Sequence, residues 1–394
     1  MSGGVLRTVC AASLATLVVT SPAAAAPVAP DPAAGGSAKA PAASAGAKRS
    51  VPLLLSDLRR LYQQAEEATE TYNGTASELK KRKAQSKKLD AALVTARTAL
   101  AKSRDEAGRL AREQYQGRSD FSAYMRLLLS RDPEHLLDQE HVIQRAAAGR
   151  AAAVKRLTGA EKRADKLAAD SRKVLHRQQV LATRQKKQRD TVRSRLKDVE
   201  SMLATLSGSQ LTELSRLEQR DVEKAQGALA ASGALSSTRP PSAAGGRAVR
   251  YAIAQVGKPY VWGAQGPDSF DCSGLTSRAW AKAGRVIPRT SQEQWRQLRK
   301  VPVGALRPGD LVIYFPRATH VALYIGNGLV VQAPRPGAWV KVSPLASNPL
   351  LGAVRPDPQS PPLATYRPPR LPRGASAGSD SGYGSSAAPA GSGK

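Results

Sequence analysis

From Leu54 to Leu110 the apolar side chains keep to alternating steps of four and three residues, a spacing that few folds accept. Leu54, Leu58, Leu61, Ala65, Ala68, Tyr72, Leu79, Leu89, Leu93, Ala96, Leu100, Ala107 and Leu110 fall on the a and d positions of a heptad repeat, interrupted by Thr75, Arg82, Ser86 and Ser103. A helix with such a stripe must bury it against another helix. A second register through Leu157, Ala164, Val174, Leu181, Val192, Val199 and Leu206 supplies that partner. The expectation is an antiparallel coiled-coil hairpin over residues 51–230. Its tip, 117–133, contains Phe121, Tyr124, Met125 and Leu127-Leu128-Leu129. These side chains are expected to close a small local core, with docking on another protein or a membrane surface as the alternative.

The heptads stop before a stretch rich in Gly, Ser, Pro and Ala, with Pro240-Pro241 and Gly245-Gly246, read as a linker over 231–247. Aromatic residues make up only 4% of the 394-residue chain, yet all four Trp (Trp262, Trp280, Trp295, Trp339) follow that linker. A globular unit is therefore expected at 248–356, and a disordered Pro/Gly/Ser-rich tail at 357–394.

At the other end, Arg7 precedes an apolar run from Val9 to Val19, then Ser21-Pro22 and four alanines. This is the pattern of a secretory signal peptide over 1–26, too short for a permanent anchor. An Ala/Pro-rich leader over 27–50 is expected to be disordered. Export removes Cys10 with the signal and leaves Cys272 as the one thiol. That excludes a disulfide scaffold and a zinc site built on several thiolates. An exported chain gains little from a lone thiol unless it is buried and inert or needed for chemistry. Lys and Arg number 60 against 31 Asp and Glu, a formal net charge of +29. Such a surface favours anionic partners. Export and the lack of a nucleic-acid-reading motif argue against nucleic acid and for anionic polymers outside the cell, a merely solvated basic face being the alternative.

Asp271-Cys272-Ser273-Gly274-Leu275, followed by a helix-compatible stretch to Ala283, puts Cys272 at a helix N-terminus. Free backbone N–H groups there favour the thiolate. A thiol catalyst needs a histidine to hold its proton. His135, His141 and His176 lie in the heptad region, so His320 is the one candidate. It opens the alternating segment His320-Val321-Ala322-Leu323-Tyr324-Ile325, which meets Leu329-Val330-Val331-Gln332 across Gly326-Asn327-Gly328, a hairpin signal. Pairing about that turn sets His320 and Gln332 opposite or nearly opposite, on one face, where the amide oxygen of Gln332 would fix the imidazole tautomer. Asp271 reads either as a helix N-cap or as a substrate contact, and Ser291 either as the cap of a helix over 291–298 or as a substrate contact.

Tyr260-Val261-Trp262-Gly263, Asp271-Cys272-Ser273-Gly274, Leu306-Arg307-Pro308-Gly309-Asp310 and His320-Val321-Ala322-Leu323-Tyr324-Ile325-Gly326 together resemble the NlpC/p60 family of papain-like cell-wall peptidases, over 248–356. The resemblance implies an α+β papain-like domain, here preceded by the helical hairpin, in which the cysteine helix packs on an antiparallel sheet carrying the histidine. It implies a secreted, wall-associated cysteine endopeptidase cutting peptidoglycan stem peptides at the D-γ-glutamyl–diamino acid bond. Cys272 would be nucleophile, His320 base and Gln332 the orienting residue, a place where relatives more often carry His, Asn or Glu. Tyr260, Asp271, Ser273 and Ser291 would line the substrate cleft. Neither metal nor cofactor is called for. An amidase or acyltransferase of the same fold, or an adaptor whose globular unit only binds walls, remain alternatives. Tyr115-Gln116-Gly117 and Leu127-Leu128-Leu129-Ser130 are similar to helical hairpins on some bacterial wall hydrolases. That likeness implies an arm that restrains the enzyme or receives a membrane-protein regulator.

Overall fold

A computed structural model describes residues 50–116, 133–235 and 239–378. The signal peptide, nearly all of the leader and the apolar tip lie outside those residues.

Two long helices, α1 (Val51–Gln116) and α2 (Pro133–Ala204), run antiparallel. Their cross-pairs step in opposite directions: Arg104 with Glu161, Asp90 with Ser171, Tyr72 with Gln185. The expected seam is buried at Leu54, Leu58, Ala65, Leu79 and Ala96, and on α2 at Ala164, Val174, Leu181, Val192 and Val199. The hairpin is not continuous to residue 230. It breaks after Ala204, and α3 (Gly208–Ala231) starts at a capping box in which Ser207 Oγ accepts from the Gln210 backbone and the Gln210 side chain accepts from the Ser207 N–H. This third helix turns back onto α1, where Leu214 joins Leu54, Leu55, Leu58 and Val199 in a small core.

The globular unit starts earlier than its composition suggests. α4 spans Ala243–Ile253, so the last residues of the expected linker are helical, with Ser242 Oγ accepting from the Gly245 N–H at 2.9 Å. Gly245 and Gly246 belong to a packed interface. A Cβ on Gly245 would meet the Pro308 carbonyl at 2.8 Å, and one on Gly309 would meet the Gly245 backbone at 2.7 Å. Backbone approach of that kind requires glycine.

Next come α5 (Cys272–Lys282), α6 (Ser291–Gln297) and the strands β1 (Arg299–Val301), β2 (Leu311–Tyr314), β3 (His320–Gly326), β4 (Leu329–Gln332), β5 (Lys341–Pro344) and β6 (Leu350–Arg355). Among the described residues these strands form one antiparallel sheet in the order β1-β6-β2-β3-β4-β5, an α+β layout. Both faces are covered. α4 and α5 pack Val249, Ile253, Leu275 and Trp280 on Leu311, Ile313, Val321, Leu323 and Val331. Trp280 is fully buried, with its indole N–H donating to the Gly309 carbonyl at 3.1 Å. Burying a side chain of that size stabilises the fold by about 2–3 kcal/mol. The opposite face buries Val312, Tyr314, Tyr324 and Val330, with Leu229 and Leu235 from the end of the arm packed on it.

Residues 357–378, expected to be disordered, are held against the domain. Leu363 N–H bonds the Pro241 carbonyl, Val342 N–H bonds the Ala375 carbonyl, and Asp357 pairs with buried Arg307 at 2.9 Å. Composition misleads here because the segment is held by its backbone groups and one buried ion pair.

Candidate active site

Asp271 caps α5: its Oδ1 accepts from the Gly274 N–H at 2.6 Å, so Cys272 is the first helical residue. Gly274 is required, because a Cβ there would stand 2.1 Å from the Ala264 carbonyl. The other Asp271 oxygen accepts from the Gly263 N–H at 2.9 Å and from Arg289 at 2.6 Å. Asp271 therefore takes the capping role, and Arg289, which the sequence reading passed over, anchors it.

His320 begins β3 and Gln332 ends β4. Pairs Leu323 with Val331 and Tyr324 with Val330, followed by a register shift before Gly326, carry Gln332 beside Ala322 rather than beside His320. The diagonal still joins them: His320 Nε2 and Gln332 Oε1 are 2.7 Å apart. The amide orientation is set from behind, since Gln332 Nε2 donates to Ser343 Oγ at 2.9 Å and to Ser347 Oγ at 3.3 Å. Oε1 must then accept from Nε2–H, which leaves Nδ1 as the basic nitrogen. The backbone N–H of Val321, the residue after His320, acts on the Cys272 sulfur and favours its ionised form. Tyr260 is buried in the same core cluster as Cys272, its backbone held by the Ala338 carbonyl at 2.9 Å.

The cleft beside these groups is filled by α1. Glu66 Oε1 stands 3.4 Å from His320 Nδ1. Glu70 Oε1 accepts from Ser273 Oγ at 2.6 Å, and its Oε2 accepts from the Ser291 N–H at 2.5 Å and from Ser291 Oγ at 2.9 Å. Asn73 Nδ2 donates to Asp271 Oδ2 at 3.0 Å. Tyr72 meets Trp262 edge to face at 4.9 Å, and Glu67 pairs with Arg317 at 2.6 Å. Ser291 is no helix cap; Thr290 fills that place, accepting from the Glu293 N–H at 3.3 Å. Of the four expected cleft residues, Asp271, Ser273 and Ser291 come together around Glu70 and Asn73, while Tyr260 is buried in the core cluster that contains Cys272.

The electrostatics depart from the expected thiolate. Burial pushes the Cys272 thiol well above its usual range, and Glu70, Asp271 and Glu66 add to the rise, against the Val321 N–H. With the arm in place the environment favours the thiol over the thiolate. Burial likewise raises the Glu70 carboxyl, with Asp271 adding to it and Arg289 opposing.

Residues 257–352 match the model of the NlpC/P60 family. The chain carries an NlpC/P60 domain. A relative described as a probable endopeptidase of Corynebacterium glutamicum is 42% identical over 123 residues, 31% of this chain and 58% of its own length. The peptidoglycan endopeptidase RipA of Mycolicibacterium smegmatis is 39% identical over 126 residues, 27% of this chain and 25% of the relative. A crystal structure of the NlpC/p60 domain of the peptidoglycan hydrolase SagA is 34% identical, with 28% of this chain and 97% of that one aligned at a TM-score of 0.27. The chain thus spans little more than half of the first relative.

Glu66, Glu70 and Asn73 of α1 were missed because the heptad reading follows one face. A signal was present: Glu66, Glu70 and Asn73 recur at steps of four and three, a polar stripe beside the apolar seam.

Proposed function

We propose that the protein is a secreted cysteine endopeptidase of the cell wall, cutting peptidoglycan stem peptides at the D-γ-glutamyl–diamino acid bond, and that the helical arm holds it closed. The carrying observation is the 2.7 Å His320–Gln332 contact, with Cys272 at the start of α5 packed in one core cluster with Val321, the residue after His320. In this reading Nδ1 of His320 takes the proton of Cys272 as the sulfur attacks the γ-glutamyl carbonyl. Gln332 steadies the imidazolium through Nε2–H, and helix-start N–H groups of α5 receive the oxyanion. His320 then protonates the leaving amine, and water hydrolyses the thioester. Glu66 occupies the approach to the basic nitrogen and Glu70 fills the Ser273–Ser291 pocket, so turnover requires the arm to leave. A membrane-protein regulator acting on the arm and attraction of the basic surface to anionic wall polymers belong to the same proposal.

The test is digestion of defined muropeptides by the full chain carrying Glu70→Ala, which frees the cleft, and by the same chain with Cys272→Ala added, with product masses. Cleavage between γ-glutamate and the diamino acid that disappears with the thiol is expected. Release of an intact stem peptide from the glycan would make it an amidase, and equal activity without the thiol would overturn the nucleophile.

A further inference from the structure

The arm acts as a ruler for the cleft. Tyr62, Glu66 and Glu70 stand one turn apart on one stripe of α1, about 6 Å per step at the helical rise. Each touches a different group of the NlpC/P60 domain. Glu70 lies in the pocket of Ser273 and Ser291, Glu66 lies 3.4 Å from His320 Nδ1, and the ring of Tyr62 lies 4.6 Å from the guanidinium of Arg335. Along the cleft the order is therefore carboxylate pocket, catalytic base, guanidinium. The base marks the scissile bond. Arg335 and Glu66 also line a groove of about 1190 Å³ between the arm and the domain, together with Tyr62, Glu218 and Ser347. Only 6% of Arg335 is exposed while the arm is down, and the arm side brings the acidic groups Glu66 and Glu218 to this corner.

We propose that Arg335 is a specificity-determining residue that receives the distal carboxylate of the diamino acid on the leaving side of the scissile bond. This rests on the peptidase reading above. An acyl residue whose free carboxylate takes the place of Glu70 puts the leaving amine toward Glu66 and the diamino acid toward Tyr62 and Arg335. In a diaminopimelate residue the distal carboxylate is six bonds from the nitrogen of the cut amide, on the order of 7 Å when extended, which matches one helical turn. A guanidinium favours that carboxylate by paired charge-assisted hydrogen bonds, while a distal carboxamide forfeits the charge and the ammonium of a lysine residue is repelled. The enzyme is thus built for a diamino acid with a free acid at its far end.

The experiment uses the full chain with Glu70→Ala to release the arm, alone and combined with Arg335→Met or Arg335→Lys. Three tetrapeptides differing only at the diamino acid side chain (free carboxylate, carboxamide, lysine) are digested and kcat/KM compared. The Glu70→Ala chain should prefer the free acid over the amide by roughly tenfold to hundredfold, the scale of a charged hydrogen bond lost. Arg335→Met should cut acid and amide alike, at the rate the Glu70→Ala chain shows for the amide, and Arg335→Lys should retain part of the preference. Because the amide serves as control within each variant, a folding defect cannot mimic the result. An unchanged preference in Arg335→Met, or none in Glu70→Ala, overturns the role of Arg335. No hydrolysis of any peptide by Glu70→Ala overturns the peptidase reading itself, and this inference with it.

Discussion

Replacing Glu70 by alanine should open the arm, and the size of the effect follows from what the carboxylate holds. In the closed chain Ser273 Oγ, Ser291 N–H and Ser291 Oγ all donate to Glu70 at 2.5–2.9 Å, in a site with no solvent access to Ser273 or Ser291. Alanine leaves those donors unpaired on the closed side only, because in the open state water satisfies them. Removing one partner of a buried charged cluster costs about 3–5 kcal/mol. The relief of desolvating Glu70 beside Asp271 works the other way, so the lower end, about 3 kcal/mol, is taken, a shift of roughly a hundredfold toward the open state. Alkylation of Cys272 by iodoacetamide reads that shift directly. Cys272 is only 2% exposed and its thiol is pushed well above its usual range while the arm is down, so its reaction rate scales with the open fraction. Mass analysis of the Cys272 peptide should show labelling about a hundred times faster in Glu70→Ala than in the parent at equal helicity. An equal labelling rate would refute the latch.

Other expectations follow from the same contacts. Gln332→Ala should lower kcat by roughly a hundredfold with little change in KM, because the imidazole loses the acceptor that sets its tautomer; Ser343→Ala should give a milder loss of the same kind, and an unaltered kcat in both would remove the orienting role. The raised carboxyl of Glu70 has a definite sign. Protonation favours closure, so its contribution is full below the ordinary Glu range and is lost as pH rises through the closed-state value. Trp fluorescence of a Cys272→Ala chain, sensitive to the Tyr72–Trp262 contact, should report opening on the alkaline side, and Glu70→Gln should flatten that dependence. Asp357→Ala strands the buried guanidinium of Arg307 and should destabilise the NlpC/P60 domain by about 3 kcal/mol in denaturant unfolding, whereas a tail that played no part in the fold would leave the midpoint unchanged.

The start of α5 was legible because its rules are local. An Asp before Cys272, a Gly two residues after it and an apolar stretch behind it specify a capped helix whatever surrounds them. The β3–β4 hairpin was legible for a similar reason, although its register was not, since the shift before Gly326 depends on how the turn meets the sheet. What escaped is tertiary. A charged residue such as Glu70 is read as solvated unless its partners are known, and Ser273 and Ser291 lie some two hundred residues away in sequence. The tail from 357 to 378 escaped because its composition carries no periodicity, while its order comes from backbone hydrogen bonds and from Asp357 against Arg307.

Closure and the state of the sulfur are one equilibrium. A cysteine at a helix N-terminus should ionise readily, yet burial and then Glu70, Asp271 and Glu66, in that order, push the Cys272 thiol well above its usual range. Two of those carboxylates, Glu70 and Glu66, sit on α1 and depart with it. The third stays, but Arg289 binds both of its oxygens, at 2.6 and 3.1 Å. Lifting the arm therefore admits water and removes two of the three negative charges together, while the helix-start N–H groups and the Val321 N–H remain. The move that exposes the cleft also lowers the thiol toward ionisation and frees Nδ1 of His320 from Glu66. A ligand that stabilises the open arm would raise access and nucleophilicity at once, whereas a domain merely covered by an inert lid would gain only access.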